Sequence, residues 1–320
     1  GSGPRAVVTT ASYEARRFGV FSATPAERAR RLCPDAIFVT PDFEHYRARS
    51  RDVMAVLRSH VERVEVVGLD EAYLDLTGLD RHRSAARRVK EAVKAETGLT
   101  CSVGLGPNKL VAKVASDAEK PDGFVELTAD EARIRFAEAS PGLVPGIGPK
   151  TVARLGQLGI ATLGRLGSTS DVQLSEWFGA RLGPHLGALA RFEDERLIET
   201  VRVAKSESRE TTFDRDLNGL PQLEPVLERL TTELCETLAR EERRGRTIGI
   251  KVRFDDFTTV TRARSLEGAV NDSEAVGTVA LDLLRTLDPA RPVRLLGVRV
   301  AGLDEESAQA AADDQLTLSL

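Results

Sequence analysis

The sequence predicts an α+β protein of several domains, and three observations lead to that prediction. The chain has 320 residues, which is close to the largest size that one hydrophobic core usually supports. Strand-like and helix-like segments alternate in its first part, whereas residues 127–192 have helical periodicity alone. Residues 203–300 then follow the order strand, helix, strand, strand, helix, strand. Such changes of pattern along a chain are typical of successive domains with different layer architectures.

The composition narrows the class of protein. Hydrophobic residues make up 41% of the chain, and 45 basic residues face 49 acidic ones, so extended disorder is excluded. Runs of about 18 apolar residues, which a membrane-spanning helix needs, do not occur. Three widely spaced cysteines, Cys33, Cys101 and Cys235, argue against a disulfide framework or structural zinc and favour a reducing cytoplasm. Because net charge is near zero, a nucleic-acid partner requires local basic patches.

The elements of the first part follow from periodicity and end signals. They are a helix over 27–33, a helix over 43–57, strands over 64–67 and 72–76, a helix from about 85, a strand over 100–105 and a helix after 108. Pro34 ends the first helix, Gly98 suits the end of the third, and Asn108 suits the start of the fourth. This order is typical of part of a mixed α/β sheet.

The last part predicts a separate domain of split βαβ type. Its elements are an extended segment over 203–213, a helix over 223–238, strands over 247–254 and 260–264, a helix over 274–287 and a strand over 293–300. In the first of these strands apolar and polar residues alternate, which places Lys251 and Arg253 opposite the buried face. We expect Arg262 and Arg264 beside them, on a sheet that lies along a phosphate backbone or on an ordinary solvated face.

Asp70 and Glu71 lie between two predicted strands. Adjacent carboxylates in a tight connection supply the oxygen ligands that Mg²⁺ prefers, often together with substrate phosphates. Two metal ions about 3.5–4 Å apart would stabilise the entering and leaving oxygens of a phosphoryl transfer. A solvated acidic turn is the alternative interpretation of this pair.

Several cations are candidates for phosphate binding. Tyr13 and Arg16 supply a phenol and a planar guanidinium, and Lys109, Lys113 and Lys120 lie along or just after one predicted helix. Both groups equally suit exposed helix surfaces. The chain lacks the Gly-x-x-x-x-Gly-Lys-Ser/Thr phosphate loop, which disfavours an ordinary nucleoside triphosphatase.

The segment Val-Pro-Gly-Ile-Gly-Pro-Lys at 144–150 has the pattern of a helix-hairpin-helix. Gly146 and Gly148 allow backbone N–H groups to approach a phosphate closely at a helix start, and Lys150 follows them. Such contacts fix the register of a protein on DNA without reading its sequence. A plain turn between helices is the alternative.

The motifs together, in their order, resemble the Y-family translesion DNA polymerases of the DNA polymerase IV type. The resemblance covers nearly the whole chain and lies in Tyr-Glu-Ala-Arg at 13–16, Leu-Asp-Glu-Ala-Tyr-Leu-Asp at 69–75, Asn-Lys-x-x-Ala-Lys at 108–113, Lys-Pro-Asp-Gly at 120–123, Pro-Gly-Ile-Gly at 145–148 and Lys-Ser-Glu-Ser-Arg-Glu-Thr-Thr-Phe at 205–213. It implies a right-hand polymerase with mixed α/β palm and fingers, a helical thumb with a helix-hairpin-helix and a split-βαβ little finger. The implied limits are 1–42 for partial fingers, 43–126 for the palm, 127–200 for the thumb and 201–302 for the little finger.

The resemblance also implies site residues and partners. Asp70 and Glu71 match catalytic carboxylates that bind two Mg²⁺ ions, and Tyr13, Arg16 and Lys120 match contacts to the triphosphate of a dNTP. Primer–template DNA is the expected substrate of a cytoplasmic monomer that copies damaged bases. The acidic tail, 303–320, ends in a peptide similar to those that bind the bacterial sliding clamp; its clamp-binding residues would be Gln315, Leu316, Leu318 and Leu320.

One departure from the family pattern changes the expected activity. Family members begin with a palm strand that carries the motif Asp-x-Asp-x-Phe-Phe, and the printed sequence begins after it. We therefore expect unpaired sheet edges, low stability and little or no polymerase activity. The alternative function is a non-catalytic adaptor that binds DNA and the clamp. A different Mg²⁺ phosphotransferase is disfavoured by the hairpin at 146–148 and by the little-finger pattern.

Overall fold

A computed structural model describes residues 3–201 and 203–303. The chain divides into two compact units. One unit comprises Asp42–Thr200, and the other joins the residues up to Pro41 to those from Val201 onward.

The N-terminal segment contains two short helices, α1 (Tyr13–Arg16) and α2 (Ala26–Leu32). The hydroxyl of Ser12 accepts the N–H of Ala15 at 3.3 Å and caps α1. The predicted helix over 27–33 is confirmed as α2, which ends before Pro34. Arg5 connects this segment to the later part of its unit, since its guanidinium donates to the Phe213 carbonyl at 2.9 Å and to Asp216 at 2.6 Å.

The unit of residues 42–200 begins with a mixed α/β region. Its elements are α3 (Phe43–His60), β1 (Val64–Val66), β2 (Ala72–Leu74), α4 (His82–Thr97), β3 (Val103–Leu105), α5 (Lys109–Ala118) and β4 (Phe124–Glu126). The predicted end signals are confirmed: Gly98 follows α4 at φ +71°, and the Asn108 side chain accepts the Val111 N–H at 2.9 Å. The conformation and hydrogen bonds of residues next to the helix ends therefore determine where α4 ends and where α5 begins.

The strands of this region form two small sheets instead of the one mixed sheet that the sequence predicts. β1 and β2 are antiparallel, and β3 pairs in parallel with β4. The sequence analysis missed β4 because it has only three residues, lies directly after a turn, and has no long alternation of apolar and polar side chains. The predicted strand over 100–105 shortens to Val103–Leu105.

The backbone of α5 packs closely against the backbone of β3, which belongs to the parallel pair β3 and β4. A side chain at Gly104 would overlap the carbonyl of Ala112, so only glycine allows the helix to pack this close to β3. The apolar face of α5 is fully buried through Leu110, Val111 and Val114. That face fixes the direction of the polar residues on the same helix, including Lys113.

The rest of this unit is helical, as predicted for residues 127–192. It comprises α6 (Ala129–Arg135), a 3₁₀ turn (Pro141–Leu143), α7 (Pro149–Gln157), α8 (Leu163–Ser168), α9 (Asp171–Phe178) and α10 (Leu182–Ala190). Leu155, Leu166, Leu174 and Phe192 pack in the same hydrophobic cluster as α5. The core of the helices is therefore continuous with the core beneath α5, and the limit at residue 126 stays a prediction.

The chain from Val201 onward forms the predicted split βαβ arrangement. Its elements are β5 (Ser206–Leu217), α11 (Leu220–Arg240), β6 (Gly245–Phe254), β7 (Thr259–Val270), α12 (Ser273–Leu287) and β8 (Val293–Leu303). The antiparallel sheet has the order β5-β8-β6-β7, and both helices pack on one face of it. The alternation predicted for β6 is confirmed, since Ile248, Ile250 and Val252 are buried.

Candidate functional site

The two predicted catalytic carboxylates lie in the connection between β1 and β2. The N–H groups of Val67 and Gly68 both donate to the Glu71 carbonyl, at 3.0 and 3.3 Å, and close this turn. The strands pair up to Val66 and Ala72, so the hairpin register holds the turn at a fixed place. Asp70 and Glu71 are both exposed and are therefore accessible to a ligand from solution.

A series of ion pairs connects this turn to the predicted phosphate-binding lysine. Glu71 pairs with Lys113 of α5, Lys113 approaches Asp117 at 3.3 Å, and Asp117 pairs with Lys120 at 2.6 Å. Partial burial opposes the charge of Lys113, but the hydrogen bond that it donates to Glu71 and the charge of Asp117 raise its pKa above the ordinary value. Lys113 therefore remains a cation over the physiological range. The fold thus brings together residues from two distant motifs.

The donor set of the turn fits a hard divalent cation only in part. Among residues 3–201 and 203–303, no cluster of three or more His, Cys, Asp or Glu side chains suits a metal ion. Mg²⁺ in proteins is commonly held by one or two carboxylates, with waters and substrate phosphates completing its octahedron. Asp70 and Glu71 therefore suit a cation that arrives with a phosphate ligand. They do not make a closed site lined by protein alone.

Lys109 has a different role from the phosphate contact considered for it. It is buried, and its Nζ lies 2.7 and 2.6 Å from the two carboxylate oxygens of Glu65 on β1. It also donates to the Leu197 carbonyl at 3.1 Å, and Glu65 accepts the Glu199 N–H at 2.8 Å. The pair therefore fastens the segment after α10 to β1 and α5. Glu65 was missed because no local pattern relates it to Lys109.

Tyr73 completes this buried cluster from β2. It pairs directly with Glu65 across the hairpin, and its ring centroid lies 5.2 Å from the Lys109 ammonium. Burial raises the pKa of the Tyr73 phenol, because a low-dielectric surrounding disfavours the phenolate. The hairpin that carries the carboxylate turn is thus anchored on one face by a cation and an aromatic ring.

Tyr13 and Arg16, the other predicted triphosphate contacts, lie together on α1. The Arg16 guanidinium lies 4.8 Å from the centroid of the Tyr13 ring, a distance typical of cation–π contact. Arg16 Nε also donates to the Ala11 carbonyl at 3.0 Å. Their four-residue helix therefore presents a phenol and a positioned cation at the surface of its unit.

The glycine hairpin at 144–150 has the geometry of a tight turn before a helix. Val144 and Ile147 are buried beneath it, and Gly146 has φ +99°. Gly148 occupies the N-cap of α7 without a side-chain cap, and Lys150 follows at the exposed first turn. The element before the hairpin is the 3₁₀ turn at 141–143, because Pro141 and Gly142 do not support a longer helix.

Replacing Gly146 by Ala is expected to distort this turn. A residue with a Cβ at φ +99° costs about 1–3 kcal/mol, so we expect a lower unfolding temperature together with weaker binding of duplex DNA. Gly156→Ala, in the last turn of α7 where a Cβ meets open space, is the control and should be neutral or slightly stabilising. Unchanged stability and affinity in Gly146→Ala would count against the assigned geometry.

The polar face of the antiparallel sheet carries Lys251 and Arg253. Lys251 pairs with Glu210 of β5 at 2.8 Å, and Arg253 donates to the Thr259 hydroxyl at 2.9 Å. Arg299 of β8 was missed by the sequence analysis; it is exposed and pairs in register with Gly249, two residues before Lys251 on β6. The alternation of buried Val298 and Val300 around Arg299 was the available signal.

Arg262 and Arg264 do not lie beside Lys251 and Arg253, so that expectation was wrong. Register places Arg262 opposite Ile250 and Arg264 opposite Ile248, and directly paired residues share a face of a sheet. Both arginines therefore belong to the helical side, where Arg264 pairs with Asp282 of α12 at 2.6 Å. A sequence segment gives the alternation within a strand but not its register with the next strand.

Gln315, Leu316, Leu318 and Leu320, the predicted clamp-binding residues, lie outside the described residues. All three cysteines are free thiols. Within residues 3–201 and 203–303 no helix combines the length and apolar character needed to cross a membrane.

Comparison with protein-family models identifies both ends of the chain. Residues 1–117 match the impB/mucB/samB family, and residues 204–318 match the impB/mucB/samB family C-terminal domain. The first match contains α1 and the carboxylate turn, and the second contains the split βαβ sheet.

Individual relatives cover nearly the whole chain. DNA polymerase IV of Methanoculleus marisnigri is 40% identical over 318 residues, which are 98% of this chain and 88% of the relative. DNA polymerase IV of Streptomyces coelicolor is also 40% identical, over 98% of this chain and 68% of its own. A solved Y-family DNA polymerase chimera superposes with a TM-score of 0.82 at 28% identity, and the match covers 94% of this chain and 88% of the chimera.

Proposed function

Since this chain belongs to the impB/mucB/samB family, the Y-family DNA polymerases of the DNA polymerase IV type, we propose that Asp70 and Glu71 are its catalytic carboxylates. Primer–template DNA and a dNTP are the substrates that the family implies. The proposed reaction is the attack of a primer 3′-hydroxyl on the α-phosphorus of the dNTP, with release of pyrophosphate. Damaged templates are the proposed physiological substrates.

The observation that best supports this assignment is the series of ion pairs from Glu71 to Lys120. It brings a metal-binding type of side chain and a phosphate-binding type of side chain to one surface. Lys113 balances the charge of Glu71 and so restricts the directions in which that carboxylate is held. In this proposal Asp70 and Glu71 hold Mg²⁺, which supplies electrostatic stabilisation of the phosphoryl oxygens when bound.

Tyr13, Arg16 and Lys120 are proposed to hold the β- and γ-phosphates of the nucleotide. A phenol, a guanidinium and an ammonium group provide the donors that polyphosphate requires. The cation–π contact limits the freedom of Arg16 before substrate binds, which lowers the entropic cost of ordering its side chain. Lys120 is linked to Asp117 in the substrate-free chain, so phosphate would replace that carboxylate as its partner.

We propose two surfaces for the DNA backbone. The hairpin residues Gly146, Gly148 and Lys150 would meet a phosphate at the start of α7. The polar sheet face, with Lys251 and Arg253, would lie along further phosphates. Neither surface presents a base-reading constellation of side chains, so binding is proposed to depend on backbone geometry and to weaken steeply with salt.

The proposal extends to the tail and to the oligomeric state. The chain is proposed to act as a monomer whose peptide Gln315, Leu316, Leu318 and Leu320 binds a sliding clamp. The acidic and alanine-rich residues before that peptide suit a leash.

Primer extension at increasing Mg²⁺ concentration tests the proposal. Because Asp70 and Glu71 belong to no cluster of three or more ligating side chains in the described residues, we expect little extension by the 320-residue chain, with a steep dependence on Mg²⁺. DNA binding should persist in a chelator. Extension that saturates at low Mg²⁺ would contradict the expected weak activity. DNA binding without extension at any Mg²⁺ concentration would favour the alternative function, a non-catalytic adaptor. The small number of carboxylate ligands in the β1–β2 turn also favours that alternative.

A further inference from the structure

The tip of the β6–β7 hairpin carries an aromatic ring in an unusual backbone conformation. Phe257 is 63% exposed and has φ +66°, a region that bulky residues adopt rarely and at an energetic cost. The turn itself enforces this conformation: the Phe257 N–H donates to the Phe254 carbonyl at 3.0 Å, and the Phe254 N–H donates to the Thr258 carbonyl at 2.9 Å. The strain thus holds a large apolar side chain in solvent.

Two arginines, one at the start of β8 and one just before it, contact aromatic rings at this tip. The Arg294 guanidinium lies 4.6 Å from the centroid of the Phe257 ring, and Arg291 lies 4.3 Å from the centroid of the Phe254 ring. Arg291 also pairs with Asp256 of the turn at 2.9 Å. The Phe257 ring is therefore backed by a cation on one face while much of its surface remains exposed.

The tip adjoins the last cation of the polar sheet face. Arg253 pairs in register with Thr259, two residues after Phe257, so the row of cations formed by Arg299, Lys251 and Arg253 runs toward the end of the sheet at which Phe257 lies. Phosphates spaced along this row would carry a nucleic-acid strand to the hairpin tip. The residues that adjoin Phe257 in the turn are polar, Asp256 and Thr258, which disfavours an apolar protein surface as its partner.

We propose that Phe257, backed by Arg294, is a stacking platform for an unpaired base of the DNA strand bound on this sheet. The proposal rests on the proposed function of the polar sheet face as a DNA surface. Inside a duplex both faces of a base are covered by its neighbours, so an unpaired base is the one that offers its π-face to a protein ring along the bound strand. Single-stranded template beside a duplex is therefore the ligand that this site fits.

Replacing Phe257 by Gly separates this role from a structural one. Glycine relieves the strain at φ +66°, so the variant should unfold at the same or a higher temperature. Loss of one base stack should nevertheless weaken binding to a duplex with a single-stranded extension by about 5- to 150-fold, corresponding to about 1–3 kcal/mol per base. Binding of the matching blunt duplex should be unchanged. Fluorescence anisotropy with both DNAs measures this difference.

Two further variants make the test decisive. Phe257→Trp keeps an aromatic face and should retain affinity for the extended DNA, whereas Phe257→Leu should lose it as Gly does. Lys251→Gln should weaken binding to both DNAs by the same factor, because a phosphate contact is independent of base pairing. The stacking proposal would be refuted if all Phe257 variants had the same affinity for the extended DNA, or if they lost equal affinity for the extended and the blunt DNA. Unchanged DNA affinity in Lys251→Gln would instead refute the proposed role of the sheet face in DNA binding.

Discussion

Asp70→Asn is expected to reduce primer extension by at least about 10²- to 10³-fold, the effect of losing one group that stabilises charge in a transition state. The substitution removes a negative charge and keeps the size of the side chain. Asp70 is exposed in the β1–β2 turn, and the hydrogen bonds that close this turn are donated to the backbone of Glu71. We therefore expect the fold and the hairpin to be unaffected.

The measurement compares single-nucleotide extension with DNA affinity in the same preparations, in a relative named DNA polymerase IV as well as in this chain. DNA affinity should be retained, because the proposed backbone contacts lie at the glycine hairpin and the polar sheet face. Asp80→Asn, an exposed acid in the same unit, is the matched control and should extend normally. Near-normal extension by Asp70→Asn in the relative, or a parallel loss of DNA binding, would refute the catalytic assignment.

Lys109→Met is expected to destabilise the chain by about 3–5 kcal/mol, the cost of leaving a buried charge without its partner. The side chains of Lys109 and Glu65 are only 9% and 16% exposed, so water does not replace the missing ammonium group. The substitution also removes the hydrogen bond to the Leu197 carbonyl. We therefore expect the segment after α10 to detach more readily from β1 and α5.

Urea unfolding and limited proteolysis measure these two consequences. The double variant Glu65→Gln with Lys109→Met should recover much of the lost stability, because a neutral amide still accepts the Glu199 N–H and no charge remains buried. Arg229→Met breaks an exposed pair with Glu233 on α11 and should change stability by less than about 1 kcal/mol. A loss for Lys109→Met as small as that of Arg229→Met would show that the buried pair does not hold this segment.

Local patterns predicted the split βαβ arrangement and most helix limits. The alternation in β6 is a property of consecutive residues, and the caps at Asn108 and Gly98 satisfy backbone groups within a few residues of themselves. The same locality explains the errors. β4 is too short for a period to be detected, and the face of Arg262 depends on a register that no single strand contains.

The order of motifs in the sequence determined by itself the family and the types of side chain expected in the site. Only the tertiary structure decided which lysine has which partner: Lys109 is buried against Glu65, while Lys113 and Lys120 belong to the exposed series that begins at Glu71. Lys109 and Lys113 are four residues apart, so they lie on the same face of α5, one above the other, and the helical period does not distinguish their partners. Which neighbour each lysine meets depends on how α5 packs against β3 through Gly104. The position of a residue in the sequence does not show that packing.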